Sequence, residues 1–118
     1  MATFFQYATC STCRKAKSWL TAEGVAFEDR PIVERAPTVD ELRSLWKRSG
    51  LPLKRFFNTS GQSYRALDRE ALERTDDEGR LKLLAADGKL IKRPILDAGK
   101  TVLVGFDAEA WTSWKAGR

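Results

Sequence analysis

The chain has 118 residues, 42% of them hydrophobic and 31% charged, which suits one folded unit and excludes a disordered or fibrous chain. Lys and Arg number 21 against 16 Asp and Glu, a net charge of +5, but basic runs such as Arg14 to Lys17 and Lys89 to Arg93 are short, so direct nucleic-acid binding is not expected. Two cysteines and no histidine exclude Ser-His and Cys-His catalysis and histidine metal sites, leaving thiols, carboxylates, amines, guanidinium groups and backbone dipoles.

In chain order, Thr3 to Tyr7 is β-rich, and its apolar content fits a buried strand. The small-polar turn ATCSTC leads to a helix from Thr12, with Cys13, Ala16, Trp19 and Leu20 on one face and Gly24 at its end. Val25 to Arg30 reads as a second strand halted by Pro31, and this βαβ unit makes the two strands parallel. Thr38 with Glu41 forms a capping box opening a helix that buries Val39, Leu42, Leu45 and Trp46 and stops at Gly50-Leu51-Pro52. Short helical turns are expected from Leu53 to Leu67, with turn residues at Asn58 to Gly61. A further helix runs from about Asp76 to Ala86, presents Leu81, Leu84 and Ala85, and closes at Asp87-Gly88.

Pro94 to Asp97 and Lys100 to Val104, separated by Ala98-Gly99, read as a β-hairpin. Asp107 then caps a last helix that packs Ala110, Trp111 and Trp114. The pattern predicts an α/β fold over residues 1–118 as a single domain, with a four-stranded mixed sheet and a helical insert at about 38–88. No stretch approaches the roughly 20 apolar residues of a membrane span, and the N-terminus lacks a basic segment followed by an apolar one. A cytoplasmic monomer without membrane contact is the expectation.

The sharpest chemical signal is Cys10-Ser11-Thr12-Cys13 at a strand-to-helix junction. Free backbone N–H groups and the helix dipole favour a thiolate at Cys10. Arg14 and Lys15 add positive charge, and Ser11 and Thr12 turn the chain into the helix. Cys10 is then the attacking sulfur and Cys13, on the buried side, the resolving one. Three other readings compete: two buried cysteines that merely pack, half of a zinc site completed across a dimer, and a static disulfide. A resident metal is not expected, because a structural zinc site needs about four ligands. At the opening of the third strand, Arg93-Pro94 is a candidate anion or thiolate site; alternatively it is an ordinary strand-opening proline beside surface charges.

Three segments, YATCSTCRKAKSWL, RFFNTSGQSYR and LIKRPILDAGKTVLVGF, resemble the arsenate-reductase-like (ArsC) branch of the thioredoxin superfamily, which also contains the Spx and MgsR type regulators. The resemblance runs from Thr3 to Trp114 and implies a thioredoxin-like (glutaredoxin-like) fold. It implies that Cys10 is the nucleophile, that Arg93 binds an oxyanion or the thiolate, and that Pro94 is cis and faces the thiols. Glutathione or glutaredoxin is the implied partner, with glutathione a co-substrate rather than a bound cofactor. The further arginines of arsenate reductases align with Asn58 and Phe106 here, so the implied activity is a thiol-dependent reduction in which arsenate is not the expected substrate. Cys13 is shared with the Spx-like regulators, whose CxxC is a disulfide switch. That likeness implies an alternative role, binding the RNA polymerase α subunit.

Overall fold

Why β1 can be apolar at consecutive positions is explained by what covers the sheet. The computed structural model describes residues 1–117. In order it contains β1 (Ala2–Gln6), α1 (Ser11–Ala22), β2 (Phe27–Pro31), α2 (Val39–Ser49), a 3-10 turn (Leu53–Phe56), α3 (Gln62–Arg65), α4 (Arg69–Arg74), α5 (Asp77–Ala86), a second 3-10 turn (Gly88–Leu90), β3 (Ile95–Asp97), β4 (Val102–Val104) and α6 (Ala108–Gly117). The strands form one sheet in the order β2-β1-β3-β4. β1 is parallel to β2, with Ala2 opposite Phe27, and antiparallel to β3, with Phe4 opposite Leu96 and Phe5 opposite Ile95. β3 and β4 form the expected hairpin. Its turn is closed by the Ala98 N–H donating to the Thr101 carbonyl at 2.9 Å, with Gly99 at φ +86°.

Successive side chains of a strand point to opposite faces, so β1 serves two cores at once. Phe4 joins Ala16 and Leu20 of α1, Leu96 of β3 and Trp111 of α6 on one face. Phe5 joins Leu42 and Leu45 of α2, Leu81 and Leu84 of α5, and Ile95 on the other. The helical insert thus covers one face of the sheet and α1 with α6 covers the other. The architecture is α/β with a four-stranded mixed sheet, the thioredoxin-like arrangement.

Local chemistry sets the insert's entry. The Glu41 N–H donates to the Thr38 hydroxyl at 3.1 Å and the Thr38 N–H to the Glu41 carboxylate at 2.9 Å, the expected capping box. Arg30 from β2 grips the same carboxylate through two bonds of 2.9 and 3.0 Å, tying insert to sheet. Several expectations are corrected. β2 starts at Phe27 rather than Val25, and Pro31 is its last residue instead of its stop. An edge strand tolerates that proline, since it needs no outward ladder bond. α4 was not expected: it buries no side chain and is held by Asp68 accepting from the Glu70 and Ala71 N–H groups, so no apolar period announces it. Ala110 is exposed on α6, where Trp111 is the buried anchor.

A candidate thiol site

After β1 the chain turns so that the Cys10 N–H donates to the Tyr7 carbonyl at 3.0 Å. Cys10 is the N-cap of α1, at φ −81° and ψ 117°, and its Sγ accepts the Cys13 N–H at 3.2 Å. Sulfur thereby takes the place usually filled by a Ser, Thr or Asp oxygen at a helix start. The first turn of α1 carries no acidic residue to oppose negative charge there. Cys10 is half-buried and Cys13 is 2% exposed, and both are free thiols.

The two thiols differ in acidity. For Cys10, partial burial works against ionisation. Hydrogen bonds from the Cys13 thiol and N–H, the Arg93 charge and a bond from the Thr12 N–H outweigh it, and the pKa lies below the ordinary thiol value. For Cys13, burial, its hydrogen bond to Cys10 and repulsion by the Cys10 charge push the pKa up to about 12, against the smaller opposing effects of a backbone bond with Tyr7 and of Arg93. At neutral pH the first thiol is the one prepared to ionise, and the second keeps its proton and donates it.

Arg93 reaches this pair from the segment before β3. Its Nη1 donates to the Lys89 carbonyl at 3.0 Å and weakly to the Ile91 carbonyl at 3.5 Å. Its guanidinium lies over the Tyr7 ring, 4.9 Å from the centroid. No carboxylate among the described residues pairs with it, so its charge stays available to an anion. The Arg93–Pro94 peptide bond is cis. The Pro94 carbonyl is occupied by the Gly105 N–H at 2.7 Å.

Of the residues singled out from the sequence, Cys10, Cys13, Thr12 and Arg93 therefore meet through named interactions. Ser11 is an exposed first-turn residue. Arg14 is also exposed and reaches back to the Ala8 carbonyl at 3.4 Å. Asn58 is engaged by its backbone with the Leu90 carbonyl at 2.7 Å, and Phe106 packs against Trp19 and Trp111 with centroids 6.4 and 5.0 Å away. Neither of these two adds a cation to the site. Among the described residues no group of three His, Cys, Asp or Glu could hold a metal ion. The residue that sequence reasoning missed is Tyr7, taken only as a strand end. It supplies the carbonyl that sets the turn and the ring on which Arg93 lies, and nothing in its local sequence signals the second role.

The fold and this site define a thioredoxin-like protein with paired thiols at a helix start. The model of the ArsC family matches residues 5–114, and the chain belongs to that family. It is 49% identical over 105 residues to YusI of Bacillus subtilis, covering 88% of this chain and 89% of that one. It is 32% identical over 105 residues to the regulatory protein MgsR of the same organism, covering 89% and 82%. An ArsC family related protein from Bacteroides fragilis superposes with a TM-score of 0.89 at 45% identity, covering 95% of each chain.

Proposed function

We propose that the protein is a cytoplasmic thiol-dependent reductase in which Cys10 attacks and Cys13 or glutathione resolves. The observation that carries this reading is the unequal acidity of the two thiols, lowered at Cys10 and pushed up to about 12 at Cys13. The Cys10 thiolate attacks one sulfur of a disulfide substrate, forms a mixed disulfide, and expels the other sulfur as a thiolate that takes a proton from water. Once Cys10 is bonded it no longer repels charge at Cys13 or accepts its proton, so two of the causes that raised the Cys13 pKa vanish. Cys13 then attacks Cys10 Sγ, the bond from Cys10 to the substrate sulfur breaks, and the departing thiolate takes up the proton that Cys13 gives up. The substrate has gained two electrons, and the Cys10–Cys13 disulfide is reduced in turn by two glutathione molecules or by a glutaredoxin dithiol.

Among the described residues, Arg93 is the one cation whose charge lowers the Cys10 pKa. One guanidinium suits a glutathione carboxylate or a singly charged intermediate better than a tetrahedral dianion, which calls for several fixed charges. The test is mass spectrometry after exposure to oxidised glutathione together with a glutathione-coupled reductase assay. Cys10→Ser is expected to abolish turnover and adduct, and Cys13→Ser to accumulate a glutathione adduct on Cys10. Full activity in Cys10→Ser would refute the reading.

The likeness to MgsR, a regulatory protein, favours a second reading in which the same thiols form a redox switch and the protein binds the RNA polymerase α subunit. Pull-down with that subunit, on reduced and oxidised protein, separates the two; no binding in either state removes the regulator.

A further inference from the structure

The RFFNTSGQSYR segment has no role in the thiol chemistry, yet three of its side chains, Phe57, Thr59 and Tyr64, line a cavity of about 190 Å³ within the helical insert. Lys54 from the first 3-10 turn, Arg69, Leu72 and Glu73 from α4, and Arg80 from α5 complete the wall. The apolar side is ordered by ring contacts: Phe57 and Tyr64 meet edge to face at 6.1 Å, and the Arg69 guanidinium lies 4.5 Å from the Tyr64 ring centroid.

The charge around this cavity is unbalanced. Three cations line it with one carboxylate, and among the described residues none of Lys54, Arg69, Arg80 or Glu73 forms an ion pair, although ion pairs are made elsewhere, as between Arg43 and Glu78. Arg80 spends its Nε and Nη2 on the Thr75 and Leu72 carbonyls at 3.1 and 2.9 Å, which fixes the guanidinium and leaves Nη1 unused. The Lys54 side chain makes no hydrogen bond among the described residues, while its backbone carbonyl accepts from the Phe57 N–H. Cations beside aromatic rings, with Arg80 held by two carbonyls and Arg69 on the Tyr64 ring, are the composition of a site for an organic anion, in which the charge is met by Lys and Arg and an apolar body packs beside the rings.

We propose that this cavity binds a small organic anion with a planar apolar body, of the class of single-ring aromatic carboxylates. The size argues for that class, since the volume is below the roughly 300–1,000 Å³ that accommodates drug-sized ligands. A tripeptide such as glutathione exceeds that volume, and none of Tyr7, Cys10, Thr12, Cys13 or Arg93 lines the cavity, so it differs from the thiol site in residues and in ligand. The proposal stands independently of the reductase reading.

The test is an amide NMR titration of the full chain with benzoate, with benzamide as its neutral isostere and with inorganic phosphate as a charge without a ring. Benzoate is expected to give saturable shifts at Phe57, Tyr64 and Leu72. Benzamide and phosphate are each expected to bind about tenfold or more weakly, the loss of one charge-assisted contact or of the ring contact. The double variant Lys54→Glu, Arg69→Glu should lose benzoate binding by at least about tenfold, whereas the double variant Lys82→Glu, Lys100→Glu, an equal charge change at exposed sites outside the cavity, should retain it. Absence of saturable shifts with benzoate, equal binding of benzamide or phosphate, or undiminished binding by the folded double variant would overturn the proposal. Should the Lys54→Glu, Arg69→Glu variant not fold, the comparison of the three ligands on the unaltered protein decides the matter alone.

Discussion

Replacing Cys13 by alanine is expected to raise the pKa of Cys10, and replacing it by serine is expected to leave that pKa low. The structure ranks the groups that favour the Cys10 thiolate. The hydrogen bond from the Cys13 side chain comes first, then the Cys13 N–H, then the Arg93 charge, then the Thr12 N–H. Alanine removes only the first of these, because the backbone donor at 3.2 Å survives. Hydrogen bonds to charged groups contribute about 1.5–3 kcal/mol, and a thiol is a weak donor, so the lower end applies. An energy of that size corresponds to roughly a tenfold fall in the thiolate-to-thiol ratio at a given pH. A hydroxyl donates at least as well as a thiol, so Cys13→Ser should fall close to the unaltered protein. Arg93→Gln should raise the pKa by less than Cys13→Ala, because the guanidinium is partly exposed and screened. The assay is the ultraviolet absorbance of the thiolate against pH, supported by the pH dependence of alkylation rate. Cys13 keeps its proton to about pH 12 in the unaltered protein, which leaves the lower transition to Cys10. An unchanged pKa in Cys13→Ala, or an equal rise in Cys13→Ser, would refute the assigned role of the Cys13 proton.

Gly88→Ala is expected to cost about 1–3 kcal/mol in urea unfolding, because a Cβ there would overlap the backbone carbonyl of Ile32 where the second 3-10 turn crosses the end of β2. Trp111→Ala should cost about 3–5 kcal/mol, since this fully buried ring joins α6 to Phe4 and Leu96 and its Nε1 donates to the Gly105 carbonyl at 3.1 Å. The Glu41 and Asp97 carboxyls are held below their usual range, chiefly by hydrogen bonds from Arg30 and Arg48 respectively. Their folded pKa values lie below the unfolded ones, so their contribution is complete above about pH 4 and disappears as pH falls through the folded values. Thermal unfolding should therefore drop on acidification below about pH 4, and Arg30→Gln with Arg48→Gln should reduce that drop; an identical acid profile in the double variant would count against these ion pairs.

The sequence alone carried the chemistry that is local in the chain. CxxC after a buried strand placed a thiol at a helix start, Thr38 and Glu41 announced their capping box, and Gly99 announced the hairpin turn, because each depends on neighbours within a few residues. Where local pattern was absent, so was the prediction: α4 fully buries no side chain, with only Leu72 packed part-buried against the core, and Asp68 caps its start. Tertiary structure decided what these pieces do to one another. It brought Arg93 from the far side of the insert, some eighty residues after Cys10, onto the Tyr7 ring, and it buried Cys13 while leaving Cys10 within reach of solvent. It also set Phe106 against Trp19 and Trp111 and left Arg93 as the cation that acts on the thiolate among the described residues. The sequence determined that two thiols stand at the start of a helix; burial and the approach of Arg93 made one of them acidic and the other a proton holder, because desolvation and charge proximity are set by neighbours in space rather than in the chain.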